Sequence, residues 1–190
     1  MATNINNFRS QFSGVRPNRF TIRGNFPGGV GAQTTAAFDV YCKATQLPGS
    51  SIGVIPVPWM GRVVKFSGER SYADWTIQVY ESSITSNDLR SGFEQWIELM
   101  DGRDSHKINY SLTETWQVVY MDMNGTVSGQ GNPTGNRTIS LVHCFPVDIS
   151  PVDLSYDVVD TFSEFTVTLA YDYWQFGDAA GSGAAGAAGV

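Results

Sequence analysis

The sequence has 190 residues but only two cysteines, Cys42 and Cys144, and two histidines, His106 and His143. Two cysteines are too few for a disulfide framework, and both lie in strand-like runs where a free thiol acts as a small apolar filler. Both are therefore expected to be reduced, in a protein that folds in a cytosol. No histidine, cysteine or acid cluster has the spacing of metal ligands, so neither a metal nor a cofactor is expected. No apolar run approaches the roughly 20 residues of a membrane-crossing helix, and the opening MATNINNF does not read as a signal peptide. A Gly-x-Ser-x-Gly elbow is lacking, the glycine-rich loops carry no Lys-Ser or Lys-Thr phosphate cradle, and GQGNPTG follows no strand-to-helix pattern. The acid pairs Asp101 and Asp104, or Asp153 and Asp157, have the chemistry of a glycosidase, but exposed acids at alternating strand positions are far more often a solvated face. No enzyme reading survives that comparison.

Basic charge is also scarce, and it is unevenly placed. Residues 1–38 hold four Arg and no acid, residues 39–107 nine acids against seven bases, and residues 108–190 nine acids against Arg137 alone, for a net charge of −6. That balance argues against tight nucleic-acid binding, which needs clustered Lys and Arg. A basic beginning and an acidic second half suit a molecule that binds copies of itself head to tail, although solubility alone accounts for such asymmetry equally well.

What is present is alternation. Phe20 to Asn25 reads as a strand that the loop FPGGVGAQ turns back, as a hairpin, into a strand through Phe38, Val40 and Cys42. Pro48, Pro56 and Pro58 cannot donate to a ladder and mark an edge strand or extended crossing. Arg62, Val64 and Phe66 alternate with Val63 and Lys65, Ser67 to Arg70 read as a turn, and Trp75, Ile77 and Val79 alternate with Thr76, Gln78 and Tyr80. Leu89, Phe93, Trp96, Ile97 and Met100 form the apolar stripe of the one convincing helix, about 87–101, capped by Ser86 or Asn87 and stopped by Gly102. Glu114 to Met123 is a strand with both faces largely apolar, hence central or at a subunit contact. Thr138 to Cys144, a shorter strand with Val152, Leu154 and Tyr156, and a long one from Phe162 to Trp174 complete the set. In the last, Phe165, Val167 and Leu169 face the core. His143 alternates with Ile139 and Leu141, as a hydrogen-bonded structural histidine would, whereas His106 in DGRDSHK reads as solvated.

Several blocks carry a family resemblance. CKATQLP, the proline-rich run into WMGR, and FSGERSYADWTIQVY, with RPNRF (Arg16 to Phe20), the Phe93 and Trp96 pair and the terminal TFSEFTVTLAYDYW, closely resemble the tail tube proteins of T-even-like contractile-tailed bacteriophages. The resemblance spans most of residues 16–174. It implies an α+β, mainly β fold: two packed antiparallel sheets forming a β-sandwich or barrel, with one flanking helix. An N-terminal arm (1–15), a body (16–176) and a flexible Gly/Ala-rich tail (177–190) are expected around it; the tail, and the long loops at 26–34 and 124–137, depart from the family pattern.

The implied function is structural. Six copies form a ring, and rings stack into a tube inside a contractile sheath. The implied partners are further copies of the chain, the sheath protein, a baseplate hub and tail terminator at the ends, and in the lumen the tape measure protein and then double-stranded DNA. Its implied place is the virion tail, assembled in the host cytoplasm. The tube of a DNA-free injection machine, such as a type VI secretion or phage-derived toxin device, is the related alternative, and a carbohydrate-binding β-sandwich is the rival of another class. Two sets of residues are singled out. Arg9, Arg16 and Arg19, in an arm without acids, are candidates for contacts between rings, and Asp153, Asp157, Glu164 and Asp172 are candidates for a channel lining that does not hold DNA.

Overall fold

The computed structural model describes residues 5, 16–28, 30, 38–82, 84, 88–102, 108–120, 137–157 and 159–177. The arm 1–15 apart from Ile5, with Arg9, Phe8 and Phe12, lies outside them, as do residues 31–37, Ser86, Asn87, His106, the loop 121–136 and the tail 178–190. The elements in chain order are β1 (Phe20–Arg23), a single helical turn α1 (Phe38–Tyr41), β2 (Cys42–Thr45), β3 (Ser50–Trp59), β4 (Arg62–Tyr72), β5 (Trp75–Tyr80), α2 (Leu89–Met100), β6 (Glu114–Tyr120), β7 (Arg137–Ile149), β8 (Glu164–Ala170) and β9 (Tyr173–Phe176). All strand pairs are antiparallel. Seven strands form one sheet in the order β1-β6-β7-β8-β5-β2, with β9 also paired to β7, and β3 and β4 form a second sheet of two.

The larger sheet turns a corner at its longest strand. The first half of β7 pairs with β6 and β9, and its second half, from Phe145 onward, pairs with β8. Alternation then decides what fills the fold. In β5 and β8 the buried residues face each other in register, Trp75 opposite Leu169, Ile77 opposite Val167 and Val79 opposite Phe165. On the other half Ile22 lies opposite Val118 and Trp116 opposite Leu141, all buried. Trp75 and Trp116 sit three strand steps apart in the sheet, yet their rings are 6.1 Å apart. The sheet is thus folded over on itself with these aromatics inside.

Helix α2 closes the open side. Asp88, not Ser86 or Asn87, is its N-cap, accepting from the Ser91 N–H, and the helix ends at Met100. Its buried face, Leu89, Gly92, Phe93 and Trp96, stacks on Trp116, with ring centroids 5.8 Å away for Phe93 and 6.4 Å for Trp96. Trp96 donates its indole N–H to the Leu112 carbonyl at 2.9 Å, so the buried polar atom is satisfied. Two glycines permit this packing. A Cβ on Gly24 would lie 2.4 Å from the Trp116 ring, and one on Gly92 would lie 2.8 Å from the ring of Phe26.

The fold corrects several expectations. Phe38 to Tyr41 is a helical turn lying against β1 and β5, and the strand starts only at Cys42. No hairpin joins the first two strands, because β1 pairs with β6 and β2 with β5. Ser67 to Arg70 continue β4, and the segment with Val152, Leu154 and Tyr156 is an exposed loop rather than a strand. The long terminal strand is broken at Tyr171–Asp172, opposite His143, which adopts φ +58°. That left-handed residue shifts the parity of β7, so Cys144 is buried and His143 exposed, its Nδ1 2.6 Å from the Asp172 carboxylate.

Because nothing beside Gly24 has room to retreat from the buried Trp116 ring, Gly24→Ala is expected to cost about 1–3 kcal/mol of stability. Thermal unfolding reads this as a midpoint several degrees lower. An unchanged midpoint shows that Trp116 is not held as tightly as its contacts indicate.

Candidate assembly surface

The most unusual surface is the hairpin β3–β4. Met60 and Gly61 form its two-residue turn with φ of 45° and 79°, the doubly left-handed pattern that suits a right-twisted hairpin. Gly68 and Glu69 oppose the single residue Gly53, and a Cβ on Gly68 would stand 3.1 Å from the Gly53 carbonyl oxygen, so the bulge needs a glycine there. Pro56 and Pro58 lie in β3, whose only partner among the described residues is β4, and so occupy an edge strand as their missing N–H requires.

Every residue of β3, and all of β4 except Gly68 and Tyr72, is exposed. Val54, Ile55, Val57, Val63, Val64 and Phe66 line both faces, and at the tip Trp59 is 64% and Met60 87% exposed. Among the described residues the body holds the hairpin at its base. Tyr72 packs on Tyr171 at 6.0 Å, the Trp174 indole N–H donates to Gly49 O at 3.3 Å, and the Trp75 indole N–H donates to Gln46 O at 2.8 Å. An isolated two-stranded ribbon is marginal in water, and one with unpaired outer edges and apolar faces is a surface built to be covered. Sequence reasoning flagged the edge character but treated these strands as part of the body. The missed signal is that VIPVPWM and VVKF are apolar in both phases of the alternation, which leaves no polar face for water.

The residues singled out for contacts and channel are spread apart. Arg16 is exposed and Arg19 half-buried at a turn closed by the Arg19 N–H on the Arg16 carbonyl at 3.1 Å. Asp153 and Asp157 lie on the exposed loop between β7 and β8, and Glu164 begins β8, paired with Lys43 of β2. Asp172 lies at the other end of β8 with His143. The first three acids share one end of the molecule; Asp172 does not.

Among the described residues no group of three or more His, Cys, Asp and Glu is placed to hold a metal ion. Both thiols are free, and burial pushes each up to about 12. At neutral pH neither is a thiolate, and so neither is a nucleophile. In the folded protein both are expected to resist alkylation at pH 8 and to react after unfolding. The stability they carry is complete below pH 9 and is lost as pH climbs from about 9 to about 12, because unfolded thiols ionise first. Rapid labelling of either cysteine in folded protein overturns this.

A family model described as phage tail tube protein matches residues 6–177. The chain is 26% identical over 161 residues to the tail tube protein gp19 of Enterobacteria phage T4, covering 85% of this chain and 91% of that one. It is 26% identical over 176 residues to the tail tube protein of Serratia phage KSP90, covering 90% and 95%. Among solved structures it resembles the tube-terminating cap of the anti-feeding prophage, with a TM-score of 0.61, 11% identity and coverage of 94% and 100%. It also resembles a chain of the sheath-tube complex of the extracellular contractile injection system PVC, with a TM-score of 0.58, 11% identity and coverage of 93% and 99%. These two likenesses concern the fold alone.

Proposed function

The chain belongs to the phage tail tube protein family, and on that premise we propose that its exposed hairpin is the surface through which copies assemble into the tube. It is a structural tail tube protein of a contractile phage. A monomeric sugar-binding module is displaced by this family membership. Copies closing into six-fold rings cover the outer edges of β2, β3 and β4, which have no strand partner among the described residues. The observation that carries the reading is the pair of apolar hairpin faces, exposed along their length. The sheath outside, the hub and terminator at the ends, and Arg16 and Arg19 at ring contacts belong to the same proposal, as does a structural rather than catalytic role. Assembly in the host cytoplasm belongs to it too.

The polar face of the body supports a lumen that runs along β5 and β8. On β5 and β8 the residues opposite to the core are Thr76, Gln78, Thr166 and Thr168, with Thr76 opposite Thr168 and Gln78 opposite Thr166. The one base beside them, Lys43, is paired with Glu164 and lies 5.7 Å from the Tyr80 ring centroid. This face is polar and has no uncompensated positive charge. Duplex DNA passes freely along such a wall, whereas a basic wall holds it through counterion release. Of the four acids considered for the channel, Glu164 lies on this wall, Asp153 and Asp157 at its mouth, and Asp172 beyond its other end.

Two experiments test the reading. The purified protein is expected to form hollow tubes in electron micrographs, and Trp59→Ser with Phe66→Ser is expected to leave a folded protein that no longer polymerises. Wild-type protein that stays monomeric at high concentration overturns the assembly. Thr76→Lys with Thr168→Lys is expected to give tubes that assemble but eject DNA slowly, with the defect relieved by salt. Normal ejection from that variant removes the β5–β8 face from the lumen.

A further inference from the structure

Strands β1, β6 and β7 are buried on both sides where they lie edge to edge. On the inner side Ile22, Val118 and Ile139 stand opposite one another across the three strands, all buried. Thr21, Val119 and Thr138 form the adjacent row and point the other way, as alternation requires. They are only 6%, 2% and 7% exposed, although Val119 does not join the core cluster around Trp116. The outward face of an antiparallel sheet is ordinarily solvated. This one is dry, and it is dry in a single chain.

The helices and the hairpin lie elsewhere. α2 stacks on Trp116 on the inner side, α1 bridges β1 and β5, and β3 and β4 are themselves exposed. Gly177, at the end of β9, accepts from the Ser140 hydroxyl and accounts for the burial of that serine, but Thr21, Val119 and Thr138 need another cover. A row of valine and threonine methyl groups is covered by apolar side chains. The N-terminal arm supplies Phe8 and Phe12, whereas the tail 178–190 has no side chain larger than valine. The arm also starts beside the face. It enters β1 through the turn in which the Arg19 N–H bonds the Arg16 carbonyl at 3.1 Å, two residues before Thr21. The row spans about 10 Å across three strands, a distance that a few residues of extended chain cover. Ile5 is 64% exposed, which leaves Phe8 and Phe12, nearer to β1, as the side chains that meet the row.

We propose that the N-terminal arm of the same chain lies across the outward face of β1, β6 and β7, with Phe8 and Phe12 over Val119. The arm is then part of the subunit before any copy meets another. The two halves of the folded sheet turn their outward faces in opposite directions, with the core between them. On the lumen reading above, on which this step rests, β5 and β8 face the channel, so the arm covers the outer wall of the tube.

Thiol labelling tests the contact. In the full chain carrying Val119→Cys, dilute enough to be unassembled, the introduced thiol is expected to be alkylated slowly. Adding Phe8→Ser and Phe12→Ser is expected to raise its rate about tenfold or more. Mass spectrometry of the labelled peptides separates it from the two native thiols, and Thr138→Cys in the neighbouring strand gives the same comparison should Val119→Cys not fold. Rapid labelling with the arm intact shows an open face and overturns the proposal. Slow labelling that survives both serine changes assigns the cover to another segment, and protection lost on dilution assigns it to a second copy; either overturns it as well. In assembled tubes, gold bound to an N-terminal tag is expected along the outside. Gold within the bore overturns the outer wall together with the lumen assignment, while the labelling rates still decide the contact on the sheet. Protein that forms no tubes fails the assembly reading, and the outer wall with it.

Discussion

The contact between Trp75 and Trp116 is the constraint on which the rest of the molecule depends. A seven-stranded antiparallel sheet left flat would expose one whole apolar face. Bringing β5 over β6 buries that face against itself, and the two indoles, 6.1 Å apart, mark where the halves meet. Everything on the inner side is then arranged around Trp116. Phe93 and Trp96 of α2 stack on it, Phe26 meets its ring edge-on at 6.4 Å, and Gly24 passes beneath it with no side chain. The interior is aromatic and tight, so it tolerates little change in shape.

A body closed in this way has no need of the hairpin. β3 and β4 contribute nothing to the buried core, yet they hold a third or so of the large exposed apolar side chains among the described residues. Carrying such a ribbon through water is unfavourable for a monomer and becomes favourable only when another chain covers it. Stability and assembly are thereby separated. The tryptophan-lined interior makes the subunit, and on the proposed reading the outward strands make the polymer.

The polar side of β5 and β8 adds a third surface with a different requirement. On the proposed reading this face lines the lumen, and a wall along which a polyanion moves has to be wet without being sticky; threonine and glutamine meet that need with hydroxyl and amide groups that carry no charge. Lys43 would be an exception, but Glu164 compensates it. Burial, complete at Cys144 and partial at Cys42, keeps both thiols protonated at neutral pH. The described molecule is occupied with packing and contact.

Period-two alternation in WTIQVY and in EFTVTLA was sufficient to place Trp75, Ile77, Val79, Phe165, Val167 and Leu169 in the core, because a strand with one buried face has to alternate. The stripe from Leu89 to Met100 was sufficient for α2, because helical spacing leaves one apolar side, and the quoted family blocks were sufficient for the tube function. Alternation says nothing about partners, however. It could not show that β1 joins β6 rather than its neighbour in the chain, since pairing is decided by where the whole sheet closes. It failed at Phe38 to Tyr41, where a turn of helix bridging β1 and β5 overrides a local pattern, and at His143, where one left-handed residue reverses which side of β7 faces inward. It also could not separate the hairpin from the body, because apolar residues read as core until the tertiary structure shows that none of the described residues covers them. The sequence by itself determined which faces are apolar; only the folding of the sheet over Trp116 decided which of them are buried within the subunit and which are left for another copy.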